Sequence, residues 1–265
     1  VGKEQDSARG LTLEPWTVRD GGGVNFLEYL GWREVRCVFS TRIGGVSSPP
    51  FHTLNLSHSV NDDPCAVREN LHRFWTAIGA EGNRVARTRQ VHSNRVNVVS
   101  SKTEGFVGDA LITRAEGQWL AVSVADCVPV YLLDARHMVV GMVHAGWRGT
   151  LEGIVRACVE KMKSEFGSDP AQTSAVVGPG IGPCCFEVSQ DTAARFEEFC
   201  PGSMSGGHVD LFKANRSELE KLGVECQACD PICTSCNEEL FFSHRRDKGV
   251  TGRMLAMITL IADVR

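Results

Sequence analysis

Residues Trp119 to Gly149 read WLAVSVADCVPVYLLDARHMVVGMVHAGWRG, and this stretch decides the fold. It holds three strand-like runs, Trp119 to Ala125, Val128 to Asp134 and Met138 to His144. Ala135-Arg136-His137-Met138 is a four-residue connection of the kind that closes a hairpin between the last two. If Asp134 pairs with Val139, His144 falls opposite Pro129. Opposed residues share a face of a sheet, as do residues two apart on one strand. Cys127 and His144 then become diagonal neighbours, their backbones about 7–8 Å apart. A slip of one residue would send them to opposite faces.

Outward from this stretch the elements vary. Val35 to Ser40 reads as a strand and opens into the loop Thr41 to Pro49, rich in glycine and hydroxyls. Asp62 or Asp63 caps a helix with Pro64 in its first turn and Gly79 at its end, its apolar stripe being Val67, Leu71, Trp75 and Ile78. His92 precedes the turn signal Ser93-Asn94, with Val96 to Val99 as the returning strand. Thr150 is expected to cap a helix carrying Leu151, Val155, Cys158, Met162 and Phe166 on one face and stopped by Gly167. Ser174 to Val177 is a strand, helices are expected over Asp191–Phe199 and Leu211–Leu222, and Phe241 to Ser243 and Met254 to Ile261 close the pattern as strands. Strands outnumber helices and do not strictly alternate with them, which favours an α+β domain with mixed β-sheets over a doubly wound parallel sheet.

The chain has 265 residues, enough for one large domain. Residues 1–30 are expected to be an N-terminal extension, frayed over 1–10, and residues 31–265 a single catalytic domain. A net charge of −4 and no basic run beyond Arg245-Arg246 argue against a nucleic-acid partner. No apolar stretch reaches the roughly 18 residues of a membrane span, and the first thirty residues lack a secretory core. Eleven cysteines, odd in number and unevenly spread, read as reduced thiols in a cytoplasmic protein. Cys226, Cys229, Cys233 and Cys236 form a C-x2-C-x3-C-x2-C run that could bind zinc or an iron–sulfur cluster, yet it matches neither kind of spacing well. It is expected to be a thiol-rich loop.

His92, Cys127 and His144 carry the chemistry. Each stands where a strand-like run breaks into a turn. Two imidazoles and a thiolate are three ligands, the number a catalytic zinc takes while its fourth position stays open. Copper could replace Zn2+ at such a site, because Cu2+ outcompetes zinc for these donors.

The chain resembles the YfiH-type, laccase-domain (multicopper polyphenol oxidoreductase) family from about Phe39 to its C-terminus. The matching stretches include Thr41-Arg42, Gly44-Gly45-Val46-Ser47, Leu54-Asn55-Leu56-Ser57, Gln90-Val91-His92, Ala125-Asp126-Cys127-Val128-Pro129, His144-Ala145-Gly146-Trp147-Arg148-Gly149 and Phe241-Phe242-Ser243-His244-Arg245-Arg246-Asp247. His244 departs from the tyrosine usual before the paired arginines, and the thiols around Cys233 are extra. The resemblance implies a layered α/β/β/α fold and a metal site of His92, Cys127 and His144. It also implies phosphorolysis of adenosine, inosine and methylthioadenosine, with adenosine deamination as a further activity. The partners are then a nucleoside and phosphate.

Under that reading Asp126, beside the thiolate ligand, is a candidate acid/base, or else a support for a ligand. Arg42, Arg148 and Arg245 are the candidates to hold phosphate, since a guanidinium makes bidentate contacts, and Asn55 joins them as a substrate-binding residue. Backbone N–H groups near Gly44-Gly45 could form an anion nest. Gly178-Pro179-Gly180-Ile181-Gly182 lacks the nucleotide-loop spacings and is read as a tight turn at the site.

Four other functions compete. A copper polyphenol oxidase would use many histidines in His-x-His pairs, whereas this chain has eight histidines and no such pair. A metal-free cysteine hydrolase would use Cys127 as nucleophile with His144 or His92 as base. A metal-dependent amidase editing cell-wall precursors would use the same centre. A non-catalytic adaptor would not need the ligand trio.

Overall fold

In the computed structural model, which describes residues 13–100 and 103–261, the hairpin closes in the register set by its alternation. Asp134 pairs with Val139 and His144 with Pro129, without a bulge at the proline. The strands in chain order are β1 (Trp16–Asp20), β2 (Asn25–Tyr29) and β3 (Val35–Ser40), followed by helix α1 (Pro64–Ile78). Then come β4 (Val85–Arg89), β5 (Val96–Val98), β6 (Phe106–Val107), β7 (Ala110–Thr113), β8 (Trp119–Val124), β9 (Val128–Asp134) and β10 (Val139–Ala145). Helices α2 (Trp147–Leu151) and α3 (Ile154–Phe166), strand β11 (Thr173–Val177) and helix α4 (Gln190–Phe199) follow. The small pair β12 (Met204–Ser205) and β13 (His208–Val209), helix α5 (Leu211–Lys221), β14 (Glu225–Ala228) and β15 (Met254–Leu260) complete the chain.

Two mixed sheets stack face to face. One has the order β1-β2-β3-β15-β8-β4-β6 and the other β14-β11-β9-β10-β7-β5. Period-two alternation sends successive side chains to opposite sides of each sheet. In β15, Met254, Ala256 and Ile258 face the second sheet, while Leu255 and Met257 face α1. In β9, Tyr131 and Leu133 face the first sheet, while Val130 and Leu132 face the helices. Phe74 and Ile78 of α1 cover one outer face, and α3, α4 and α5 cover the other through Val155, Cys158, Phe196 and Phe212. The layers are therefore α/β/β/α, and both sheet faces are buried.

Several local expectations are corrected. Residues 13–30, placed in an N-terminal extension, form β1 and β2 and pair into the first sheet beside β3; the expected fraying of residues 1–10 lies outside the described residues. The buried stripe of α1 is Val67, Asn70, Phe74 and Ile78. It is rotated from the apolar stripe because Asn70, although polar, bonds the Val46 N–H, Ser47 Oγ and two loop carbonyls. Thr150 lies inside α2, and the long helix starts only after Gly153, whose left-handed φ of 74° interrupts the run. Phe241 to Ser243 pairs in no ladder; Phe241 and Phe242 are buried as a loop that follows a turn on Asn237. Val96 to Val98 does not return beside β4. The two strands lie in different sheets, so residues 90–95 carry the chain across the sandwich.

Candidate metal centre and its cleft

Two crossings between the sheets build the centre. The chain leaves β4 of the first sheet and enters β5 of the second through Gln90–Arg95; it leaves β8 and enters β9 through Ala125–Cys127. Both crossings lie at the end of the sandwich where β10 finishes at His144 and Ala145. The first crossing is tied to the start of the second by Gln90, whose side chain accepts from the Ser123 N–H at 2.7 Å and donates to the Ser123 carbonyl at 2.8 Å. His92 (φ 58°) and Asp126 (φ 85°) occupy the left-handed region that non-glycine residues rarely adopt. Such conformations persist only where surrounding bonds over-determine them, and here both residues are multiply held.

One ligand atom from each of His92, Cys127 and His144 lies within 4.8 Å of the others. The histidine rings meet edge to face with centroids 5.0 Å apart. Gly146 is required for the approach: a Cβ there would stand 3.0 Å from Cys127 Sγ and 3.2 Å from the His92 ring. Asp109, at the head of β7, organises the set. Its carboxylate accepts from the N–H groups of Val91, His92 and Ser93, from Ser93 Oγ, and from His144 Nδ1 at 2.9 Å. With Nδ1 committed to Asp109, His144 turns Nε2 toward Cys127.

The charges agree with a ligand set. Burial opposes the Cys127 thiolate, but His144 and then His92 outweigh it and bring the thiol down to about 6. Burial likewise opposes a charged His144, yet the Cys127 thiolate and Asp109 lift it to about 9. Burial of Asp109 is outweighed by His144 and Ser93, which hold its carboxyl at about 2. A thiolate and two imidazoles aimed at one point fit a borderline-soft cation such as zinc.

The trio opens into a cleft of about 1090 Å³. Arg148 lines it, stacked 4.3 Å over the Trp147 ring, and among the described residues no carboxylate or carbonyl pairs with its guanidinium. Arg245 lines it too, with its guanidinium over Phe186 and bonded to the Cys185 and Glu187 carbonyls. His244 is also on the wall.

Five expected site residues take other roles. Arg42 does not reach the cleft: its guanidinium is spent on the His52 and Glu238 carbonyls and on the Phe242 ring. Gly44 and Gly45 are needed for contact with Gly23–Val24 and Thr53–Leu54, and they form no wall of the cleft. Asn55 is fully buried and accepts from the Ser57 and Arg253 N–H groups, so it acts on the cleft only through these two lining residues. Asp126 lines the cleft, but both its oxygens are engaged, one by Thr234 Oγ1 and the other by the Arg245 N–H, each at 2.7 Å. Its carbonyl receives the Ile181 N–H, which ties the 178–182 turn to the site as expected.

Asp109, Arg87, Arg89 and Arg253 are the residues that the sequence did not single out. Arg87, Arg89 and Arg253 line the cleft, and Arg89 has no partner among the described residues. Arg87 could have been found from its spacing, two residues before Arg89 on a strand leading straight into Gln90-Val91-His92. Asp109 sits in no motif that would have announced it.

The C-x2-C-x3-C-x2-C run does not act as a unit. Cys226 lies on β14, and its neighbour Cys229 turns its thiol to the Phe212 carbonyl. Cys233 and Cys236 instead join Cys184 and Cys185 in a second cluster. All eleven cysteines carry free thiols. Among the described residues no helix is long and apolar enough to cross a membrane.

Comparison with known proteins gives a consistent picture. A purine nucleoside phosphorylase of Deinococcus radiodurans is 42% identical over 84% of this chain and 88% of its own length. The purine nucleoside phosphorylase YlmD of Geobacillus stearothermophilus is 36% identical over 83% of this chain and 88% of its own length. The crystal structure of that organism's YlmD superposes with a TM-score of 0.85 over 94% of this chain and 100% of the other, at 32% identity. A Bacillus licheniformis hypothetical protein, YfiH, superposes at 0.84 over 92% of this chain and 98% of the other, also at 32% identity. Residues 36–261 match the model of the multi-copper polyphenol oxidoreductase laccase family, and the chain belongs to that family.

Proposed function

We propose that the chain is a zinc-dependent purine nucleoside phosphorylase, cleaving inosine, adenosine and methylthioadenosine to the free base and the sugar 1-phosphate, with adenosine deamination at the same centre. The observation that carries this reading is the Cys127–His92–His144 centre opening on a cleft whose wall presents two unpartnered guanidiniums, Arg89 and Arg148. The names of the relatives support it.

In phosphorolysis a phosphate oxygen bonds to the anomeric carbon as the bond to the purine nitrogen breaks and the purine leaves with the electron pair. The protein must hold a dianion in line with that carbon, which two planar guanidiniums do well. Arg148, stacked on Trp147, and Arg89, which lines the same cleft, are suited to this. Phe186 and Trp147 add apolar wall to the cleft, each ring carrying an arginine guanidinium, Arg245 on Phe186 and Arg148 on Trp147. His92, Cys127 and His144 would hold a zinc ion, which would supply Lewis acidity to the reaction. Asp109 keeps both histidines aimed, and Asp126 anchors the backbone from which Arg245 extends.

The copper-oxidase reading finds less support. The only other metal-competent cluster among the described residues is made of four cysteines, with no further histidine set for several coppers.

The test is anaerobic incubation of the zinc-loaded protein with inosine, with and without phosphate. Phosphate-dependent release of hypoxanthine and ribose 1-phosphate together is the expected result. Absence of both, with zinc present at the trio, would overturn the proposal and favour amide hydrolysis of cell-wall precursors.

A further inference from the structure

A second set of thiols converges away from the catalytic trio. Cys184 and Cys185 lie on the turn that follows Gly182, and Cys233 and Cys236 on the turn that precedes Asn237. The two segments are stitched together by the Gly180 N–H to the Ile232 carbonyl and the Thr234 N–H to the Gly180 carbonyl. All four sulfurs lie within 4.8 Å of one another, with Cys184–Cys236 at 3.5 Å and Cys185–Cys236 at 3.4 Å. Cys184 and Cys236 are exposed, so core packing does not explain the convergence.

The spacing fits one small tetrahedral ion. Zinc holds thiolates at about 2.3 Å, which places the sulfurs about 3.8 Å apart. An iron–sulfur cluster binds its thiolates through different irons and spreads them further. The surroundings also fit. The Gly182 N–H donates to Cys233 Sγ at 3.2 Å, the kind of bond that supports a metal-bound thiolate. A Cβ on Gly182 would stand 3.0 Å from Cys233 Cβ and 3.2 Å from Cys184 Sγ, so this glycine permits the approach. Four thiolates around a dication leave net negative charge. Two guanidiniums are anchored on carbonyls of the same turns, Arg245 on Cys185 and Arg246 on Thr234 and Ser235.

We propose that Cys184, Cys185, Cys233 and Cys236 bind a second, structural zinc ion. Four protein ligands close the ion to substrate. Binding expels the thiol protons to solvent and changes no oxidation state. The ion staples the turn that carries Phe186 and the carbonyl anchors of Arg245 to the turn that carries Thr234, the partner of Asp126. It would thereby fix one wall of the catalytic cleft from behind.

Zinc stoichiometry tests this without reference to turnover. The full chain is stripped of metal, reloaded with excess zinc anaerobically under reductant, desalted and analysed for zinc per chain. The expected result is two ions in the unaltered protein and in Cys226→Ser, and one in Cys127→Ser, Cys184→Ser or Cys236→Ser. Cobalt-loaded Cys127→Ser should keep the strong thiolate-to-metal absorption of a four-sulfur site. That readout stands even if the Cys184 and Cys236 variants do not fold. A single ion that is lost in Cys127→Ser, or cobalt-loaded Cys127→Ser without that absorption, overturns the proposal, whereas a single ion kept in Cys127→Ser and lost in Cys184→Ser supports it and counts against metal at the trio. A disulfide joining two of the four thiols in protein isolated anaerobically also overturns it, and would make the cluster a redox pair.

Discussion

Asp109 shows how much of a metal centre can rest on a residue that binds neither metal nor substrate. Its two oxygens accept five hydrogen bonds, from three backbone N–H groups of the first crossing, Ser93 Oγ and the ring of His144. Asparagine at 109 offers one oxygen and turns an N–H against donors. Asp109→Asn is therefore expected to weaken zinc binding at the trio by about 10–100-fold, the range found when such supporting partners are lost. Competition with a chromogenic chelator measures it, and an unchanged affinity would remove Asp109 from the centre. The arginines divide on the same logic. Arg148 has no carboxylate or carbonyl partner to lose, only its exposed stack on Trp147, so Arg148→Ala should raise KM for phosphate about tenfold or more and lower the melting temperature little. Arg42→Ala should do the reverse, because its guanidinium serves the His52 and Glu238 carbonyls: stability falls by about 1–2 kcal/mol while KM for phosphate holds. Steady-state kinetics with phosphate varied, beside thermal melts, separates the two; a rise in KM for phosphate in Arg42→Ala would reverse the assignment. Motif position alone could not tell these arginines apart, since what distinguishes them is whether a carbonyl from a distant segment already fills the guanidinium fork.

At the scale of elements, the β9–β10 hairpin was legible in the sequence to the residue, because alternation permits one register and the short connection enforces it. The turn has its own lock. The buried Asp134 carboxylate accepts from the N–H groups of Arg136 and His137 and from His137 Nδ1. Burial opposes its ionisation, but the His137 backbone N–H and ring outweigh this and hold the carboxyl below its ordinary range. A depressed folded-state value means stability that is present above the unfolded value of 3.8 and lost as pH falls below it. Asp134→Asn should thus cost about 1–3 kcal/mol at neutral pH, and the gap between variant and parent should shrink in metal-free protein as pH drops below about 4. Thermal melts over that range decide it; a gap of equal size at both ends would mean that the charge contributes nothing. The crossings were less legible. Nothing in residues 85–98 says that β4 and β5 belong to different sheets, because alternation reports which face is buried and not which strand lies alongside. For the same reason Cys127 and His144 could be brought together from sequence, whereas the place of His92 came only from the resemblance. The true partners of Cys233 and Cys236 lie on a turn about fifty residues earlier in the chain, out of reach of any spacing rule.

At the scale of the whole molecule, the two sheets share a core to which the first strands contribute heavily, although the family match starts only at residue 36. Trp16 and Tyr29 stand with ring centroids 5.9 Å apart, and Trp16 lies 5.4 Å from Tyr131 of the opposite sheet. Tyr131 in turn donates its hydroxyl to the Val38 carbonyl across the sandwich, at 2.9 Å. Leu27 fills the same layer, and Phe26 packs under α1 against Phe74. Burying four such side chains stabilises by roughly 6–12 kcal/mol. That is comparable with the entire stability of an ordinary domain, roughly 5–15 kcal/mol. Deleting residues 1–30 would also strip β3 of its partner β2, leaving it paired to β15 alone with a bare edge open to pairing with other chains. The truncated chain is therefore expected to lose its cooperative denaturant transition, or to show a much lower midpoint, and to aggregate. Equilibrium unfolding followed by tryptophan fluorescence and circular dichroism tests this. An unchanged midpoint and slope would mean that the sandwich closes without β1 and β2 and that residues 31–265 fold as a self-sufficient unit. The expected collapse would instead make those strands part of the scaffold on which the metal centre is held, because the core they complete includes Tyr131 of β9, the strand that begins beside Cys127, and Val140 and Met142 of β10, the strand that carries His144.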